Sequence, residues 1–219
     1  MIKLVPQLIN LFATLILMLS FAMISQRRIV SLINLFAMQG AALVGASLLL
    51  GYATNQPDLY VSAGLTLVLK VILIPWLLHR VIRRLNVRWD VETLINIPTT
   101  MLVGIALVIF SFSLALPISR LSSSMAGSSL GIALACVLLA FMMMITRSKA
   151  VPQVIGFLSM ENGLIFAATT VTSGMPMIVE FGIALDVLVG VLILGVFMFQ
   201  IREKFDSLDI HNLEALKDE

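Results

Sequence analysis

The sequence predicts an all-α integral membrane protein: seven transmembrane helices in a single polytopic domain over residues 1–219. Composition is the first reason, since 60% of residues are hydrophobic, 12% are charged and the mean hydropathy is +1.07, far outside the soluble globular range. The second is length: the apolar runs approach or exceed the ~20 residues that cross a ~30 Å hydrocarbon core, twice what a barrel strand needs. The third is where the positive charges fall. Eleven of the 14 Lys and Arg residues lie in alternate connections and the C-terminal tail, which places the N-terminus outside and the C-terminus in the cytoplasm.

The first run, 4–25, follows Lys3 and begins as a secretory leader would. It is longer than a typical leader core, no clear small-x-small cleavage site follows, and Arg27 and Arg28 favour its retention as an anchor. The second run is 31–51 and the third 60–79, joined by a short outer connection that holds Asp58. A basic connection with Arg80, Arg83, Arg84 and Arg88 leads to the fourth run, 97–116; in addition to setting topology, it offers a surface for anionic lipid or acidic partners. A Ser-rich turn over 117–127, with Arg120, precedes the fifth, 128–146. Arg147 and Lys149 separate that run from the sixth, 151–172, and a brief outer turn leads to the seventh, 177–200. Residues 201–219 form a cytoplasmic tail with Arg202, Lys204 and Lys217.

Small residues at four-residue spacing, Gly127, Gly131 and Ala135 in one run and Ala41 with Gly45 in another, mark surfaces where helices approach closely. The lone Cys136 and the 13 methionines read as packing residues, not redox or metal sites. So little chain lies outside the runs that a nucleotide, flavin or metal-cluster domain has nowhere to fold. No cofactor is therefore expected in this chain, and any redox or ATP-driven chemistry must come from partners.

Three ionisable side chains stand mid-run: Lys70, Glu161 and Asp186. Counted from the outer ends of their runs at 1.5 Å per residue, each is roughly 14 to 16 Å deep, near the bilayer centre. A charge there costs about 2.5 to 3.5 kcal/mol on insertion scales, so such residues mark proton relays, ion paths or buried pairs. Their common depth is what proton exchange or lateral pairing requires. Pro75, five residues past Lys70, removes a donor to the Val71 carbonyl and predicts a kink beside the lysine. Ser159 and Asn162 flank Glu161 with groups able to bind a carboxylate, and Gly182 and Ala184 leave room near Asp186. Glu180, close to the outer boundary, and His79, close to the inner one, are the possible mouths of a path; the plainer readings are a snorkelling carboxylate and a solvated histidine. A weak parallel repeat also shows: a basic pair opens a run and the next run carries a mid-membrane charge, with Met38 and Gln39 at the depth where the second copy has Glu161.

The stretches Lys70-Val71-Ile72-Leu73-Ile74-Pro75, Met160-Glu161-Asn162-Gly163, Gly182-Ile183-Ala184-Leu185-Asp186 and Leu208 to Lys217 together resemble the hydrogenase-4 component E family. These are small subunits of membrane-bound [NiFe] hydrogenases and formate hydrogenlyase-type complexes, similar to the K subunit of complex I. The resemblance implies a K-subunit-like duplication and a place in the cytoplasmic (inner) membrane. It implies antiporter-like and quinone-site-like membrane partners, a peripheral hydrogenase arm at the cytoplasmic face, and a [NiFe] centre and iron–sulfur clusters held by those partners; no nucleic acid is expected. Glu161 matches the first membrane glutamate of the K subunit, with Asp186 and Lys70 at or near positions comparable to the second. Lysine in place of a carboxylate, and Gln39 in the first half, depart from that pattern. The expected function is a non-catalytic contribution to proton translocation driven by the partners' redox chemistry; a scaffold with buried charge pairs and a cation/proton antiporter component are the alternatives.

Overall fold

The computed structural model describes residues 4–85, 95–119 and 124–172, together with Gly182, Val189 and Gly190. The described residues are helical throughout apart from short connections, and no strand occurs among them. The helices are α1 (Leu4–Ser25), α2 (Ile29–Thr54), α3 (Pro57–Thr66), a π-helical segment (Leu67–Leu73), α4 (Ile74–Leu85), α5 (Ile97–Ser119), α6 (Ser124–Thr146) and α7 (Ala150–Thr172). The π-helical segment continues α3 directly into α4, so these elements form six rods long and apolar enough to cross a membrane. The protein is a multi-pass membrane protein. The seventh run, the Ser-rich turn over 120–123 and the C-terminal tail lie outside the described residues, save Gly182, Val189 and Gly190, which are helical.

Local chemistry sets the turns. Asn55 ends α2 in the left-handed conformation at φ 53°, which asparagine tolerates better than most residues, and its N–H bonds the Gly51 carbonyl. Pro57 then opens α3, where a missing N–H costs nothing, and Asp58 lies exposed in the first turn, where helix N–H groups favour an anion. The sequence had placed Asp58 in a loop. The Ser-rich turn is also shorter than expected: α5 continues through Pro117 to Ser119, and α6 begins at Ser124.

α1, α2, α7 and α6 form the packed centre, with α1 against α2 and α6, and α7 against α2 and α6. α5 lies on α6 and α1, and the rod of α3 and α4 lies on α2. In lipid, helices associate through close packing and hydrogen bonds, because hydrocarbon surrounds both the separated and the packed state. Accordingly two glycines abut bulky neighbours: a Cβ on Gly45 would sit 2.6 Å from the Phe12 ring, and one on Gly131 2.9 Å from Phe112. Large apolar side chains such as Leu102, Ile109 and Ile145 are exposed, as lipid-facing residues are.

The buried interior is layered. One apolar cluster joins Met23, Ile24, Leu32, Phe36, Leu78, Met142 and Leu158; a second joins Ala13, Ile16, Leu43, Ala46, Cys136 and Phe166. Along α1, α2 and α7 the buried side chains between these clusters are polar: Ser20, Gln39, Ser159, Glu161 and Asn162. Lys70 is buried beside this middle layer, against Glu161.

A candidate buried polar layer

Lys70 is central to the π-helical segment and fully buried. An α-turn cannot close from residue 75 onto Val71, because proline has no N–H and its ring would strike that carbonyl. The chain avoids the clash with a wide turn: Ile74 donates to Leu69, five residues back, and Pro75 falls in the first turn of α4, where its missing donor matters least. At the place where Pro75 predicts an irregularity, the rod has a π-helical segment just ahead of it. Gly40 brings α2 close to this segment, since a Cβ there would meet Val71 Cγ2 at 3.3 Å and Lys70 Cβ at 3.5 Å.

Glu161 enters from α7, where Gly163 lets the helix approach α6; a Cβ on Gly163 would lie 3.2 Å from Cys136 Cβ. Lys70 Nζ and Glu161 Oε1 are 3.1 Å apart, with the two side chains 0% and 2% exposed. The shared depth read from the sequence therefore becomes contact between Lys70 and Glu161. Gly182 is also at this point: a Cβ there would be 3.7 Å from Glu161 Oε1. Asp186 and Glu180 lie outside the described residues.

Beside the ion pair runs an amide and hydroxyl network. Gln39 Nε2 donates to Ser20 Oγ at 2.7 Å and to Ser159 Oγ at 3.0 Å, while its Oε1 accepts from Asn162 Nδ2 at 3.0 Å. Ser20 in turn donates to the Ile16 carbonyl at 2.8 Å. One glutamine thereby ties α1, α2 and α7 together. In the sequence Gln39 stands out only for the carboxylate it lacks, and Ser159 and Asn162 flank Glu161 as groups able to bind a carboxylate; in the structure both bind Gln39. The available signal was a glutamine at the depth of Glu161 followed directly by a glycine.

His79 stands two turns below Lys70 on α4, half-buried, and its Nδ1–H donates to the Pro75 carbonyl at 2.8 Å. The ring is anchored to its own helix and is not part of the middle layer.

A second buried cation was read from the sequence only as a topology determinant. Arg147, in the short connection between α6 and α7, is 2% exposed; its Nη2 donates to the Ile24 carbonyl at 2.6 Å and reaches Met23 O at 3.5 Å. It caps the carbonyl end of α1, where helix carbonyls attract a cation. Burial draws its pKa below the ordinary arginine value, yet a guanidinium remains charged at neutral pH. Gln153 Nε2 fastens the Arg147 carbonyl at 2.8 Å. Among the described residues no three His, Cys, Asp or Glu side chains gather as a metal site would require.

With this geometry in view, comparison with known proteins places the chain. It is 32% identical over 200 residues to the uncharacterized protein Rv0085 of Mycobacterium tuberculosis, covering 91% of each sequence. The chain belongs to the family of that protein. Hydrogenase-4 component E of Escherichia coli K12 is a more distant full-length relative of the family member described here, 23% identical over 210 residues, covering 96% of this chain and 97% of that one. The same protein of Shigella flexneri matches equally. No family model and no solved structure matches the chain.

Proposed function

We propose that this family member is a membrane-arm subunit of a complex I-related, membrane-bound hydrogenase, and that Lys70, Glu161 and Asp186 contribute to a path for protons through it. The observation that carries the reading is the Lys70–Glu161 pair at 3.1 Å, shut from solvent mid-span and adjoining the Gln39 network. A lysine and a carboxylate at that distance can pass a proton between them and alternate between an ionic and a neutral pair. The distant homology to hydrogenase-4 component E supports the assembly.

In this reading the run 177–200 is a seventh span, the N-terminus is outside and the C-terminus cytoplasmic, in the inner membrane. Asp186 is the next carrier, four residues beyond Gly182 in the sequence, and Glu180 and His79 are the mouths. Antiporter-like and quinone-site-like subunits flank the chain, and the [NiFe] and iron–sulfur centres of a peripheral arm supply the driving force. Moving one charge across the membrane requires about 2.3 kcal/mol per 100 mV, which this chain has no chemistry to generate. The test is proton translocation by the assembled complex carrying Glu161→Gln or Lys70→Met. The expected result is retained redox turnover with translocation lost. Normal translocation in both variants would overturn the path, and failure of assembly alone would identify the pair as scaffold.

A further inference from the structure

The outward face of the α3–α4 rod changes character along its length. Val68, Ile72 and Trp76, each one turn from the next, are exposed and apolar; Arg80 and Arg83 continue the same face and are exposed and cationic. The opposite face of α4, Ile74, Leu78 and Ile82, is buried in the core. Trp76, His79, Arg80 and Arg83 line an open pocket of about 460 Å³ at this transition. The Arg80 guanidinium lies over the Trp76 ring, 5.2 Å from its centroid, which draws the charge back toward the apolar side. His79 spends Nδ1 on the Pro75 carbonyl, leaving Nε2 as the ring atom available in the pocket. No described carboxylate lies in ion-pair range of Arg80 or Arg83.

We propose that this pocket holds the headgroup of an anionic phospholipid, with an acyl chain along Trp76, Ile72 and Val68. From Val68 to Trp76 the rod rises roughly 10 Å, about two-thirds of the ~15 Å of one hydrocarbon leaflet, and Arg80 and Arg83 follow toward headgroup level. Two guanidinium groups next to an interfacial tryptophan match a phosphate in charge and depth. A soluble anion would use the arginines but leave the apolar stripe uncovered, and an acidic protein segment would have no reason to extend below Trp76. The lipid satisfies both halves of the face. This assignment goes beyond the proton path and stands whether or not that path operates.

Trp76 is also the reporter. The chain has two tryptophans, so Trp89→Phe leaves Trp76 alone. The full-length protein in phosphatidylcholine bilayers is titrated with brominated phosphatidylglycerol or brominated phosphatidylcholine, and Trp76 fluorescence is followed. Brominated phosphatidylglycerol is expected to quench at much the lower mole fraction. Replacing Arg80 and Arg83 together by alanine should weaken that preference about 30-fold, the size expected of two interfacial arginines. Arg80→Lys with Arg83→Lys should keep most of it. Arg27→Ala with Arg28→Ala, which removes two exposed cations at the same membrane face, should leave it unchanged. Equal quenching by the two lipids, or equal loss in the Arg27 and Arg28 variant, would overturn the site. Displacement of the brominated lipid by inorganic phosphate would assign it to a soluble anion instead. Loss of quenching on assembly with partner subunits would assign the face to a protein.

Discussion

Lys70 and Arg147 are both cations withdrawn from solvent, and they are held in opposite ways. Lys70 faces a carboxylate on another helix, mid-membrane, at 3.1 Å. Arg147 faces main-chain carbonyls at the end of α1, beside the membrane edge. A carboxylate can take a proton from its partner, whereas a carbonyl cannot, and an arginine does not release one. The first arrangement can change state; the second only fastens. Buried charge alone is therefore no sign of function in this fold, and the identity of the acceptor separates a relay candidate from a clamp.

The comparison can be tested first at the pair. Lys70→Met or Glu161→Gln alone strands one buried charge and should reduce stability by about 3 to 5 kcal/mol. The double variant removes both charges and should lose less than either single one. Unfolding of the four proteins in matched detergent measures this, and a double variant as damaged as the sum of the singles would show that the charges do not depend on each other. Arg147→Met should cost less, about 1.5 to 3 kcal/mol, the range for hydrogen bonds made by a charged group. Its effect should be local: hydrogen exchange should accelerate at the end of α1 while the middle layer remains protected. Gln39→Leu should cost about 1 to 2 kcal/mol, because interhelical hydrogen bonds in membranes average ~0.6 kcal/mol each. If Gln39→Leu also altered proton translocation without loss of assembly, the network would belong to the path; unchanged translocation would confine Gln39 to positioning.

The spans were legible because hydrocarbon demands long uninterrupted apolar runs, and the six described rods coincide closely with six of the seven runs read from the sequence. The depth of Lys70 and Glu161 was legible for a related reason: rise per residue is fixed, so counting inward gives height. Azimuth is not fixed by counting. Which carboxylate meets Lys70 depends on helix rotation and on the close approaches at Gly40 and Gly163, and neither is written in a hydropathy pattern. The bonding role of Gln39 was not legible because an amide carries no insertion penalty comparable to a charge. That of Arg147 was not, because a positive residue in a short connection fits the topology rule so well that no further role was sought.

The wide turn over Leu67–Leu73 has a consequence for length. A π-helical turn contains an additional residue that a regular helix would not need for the same advance. Removing a residue from this stretch other than Lys70, together with replacing Pro75 by a residue that has an N–H, would let the rod close as an ordinary α-helix, with the faces on either side preserved. The same deletion within α5 would swing everything beyond it by about 100°. With Pro75 also replaced, the stretch around Lys70 is thus where the rod can shorten by one residue without turning the rest of itself away from its neighbours.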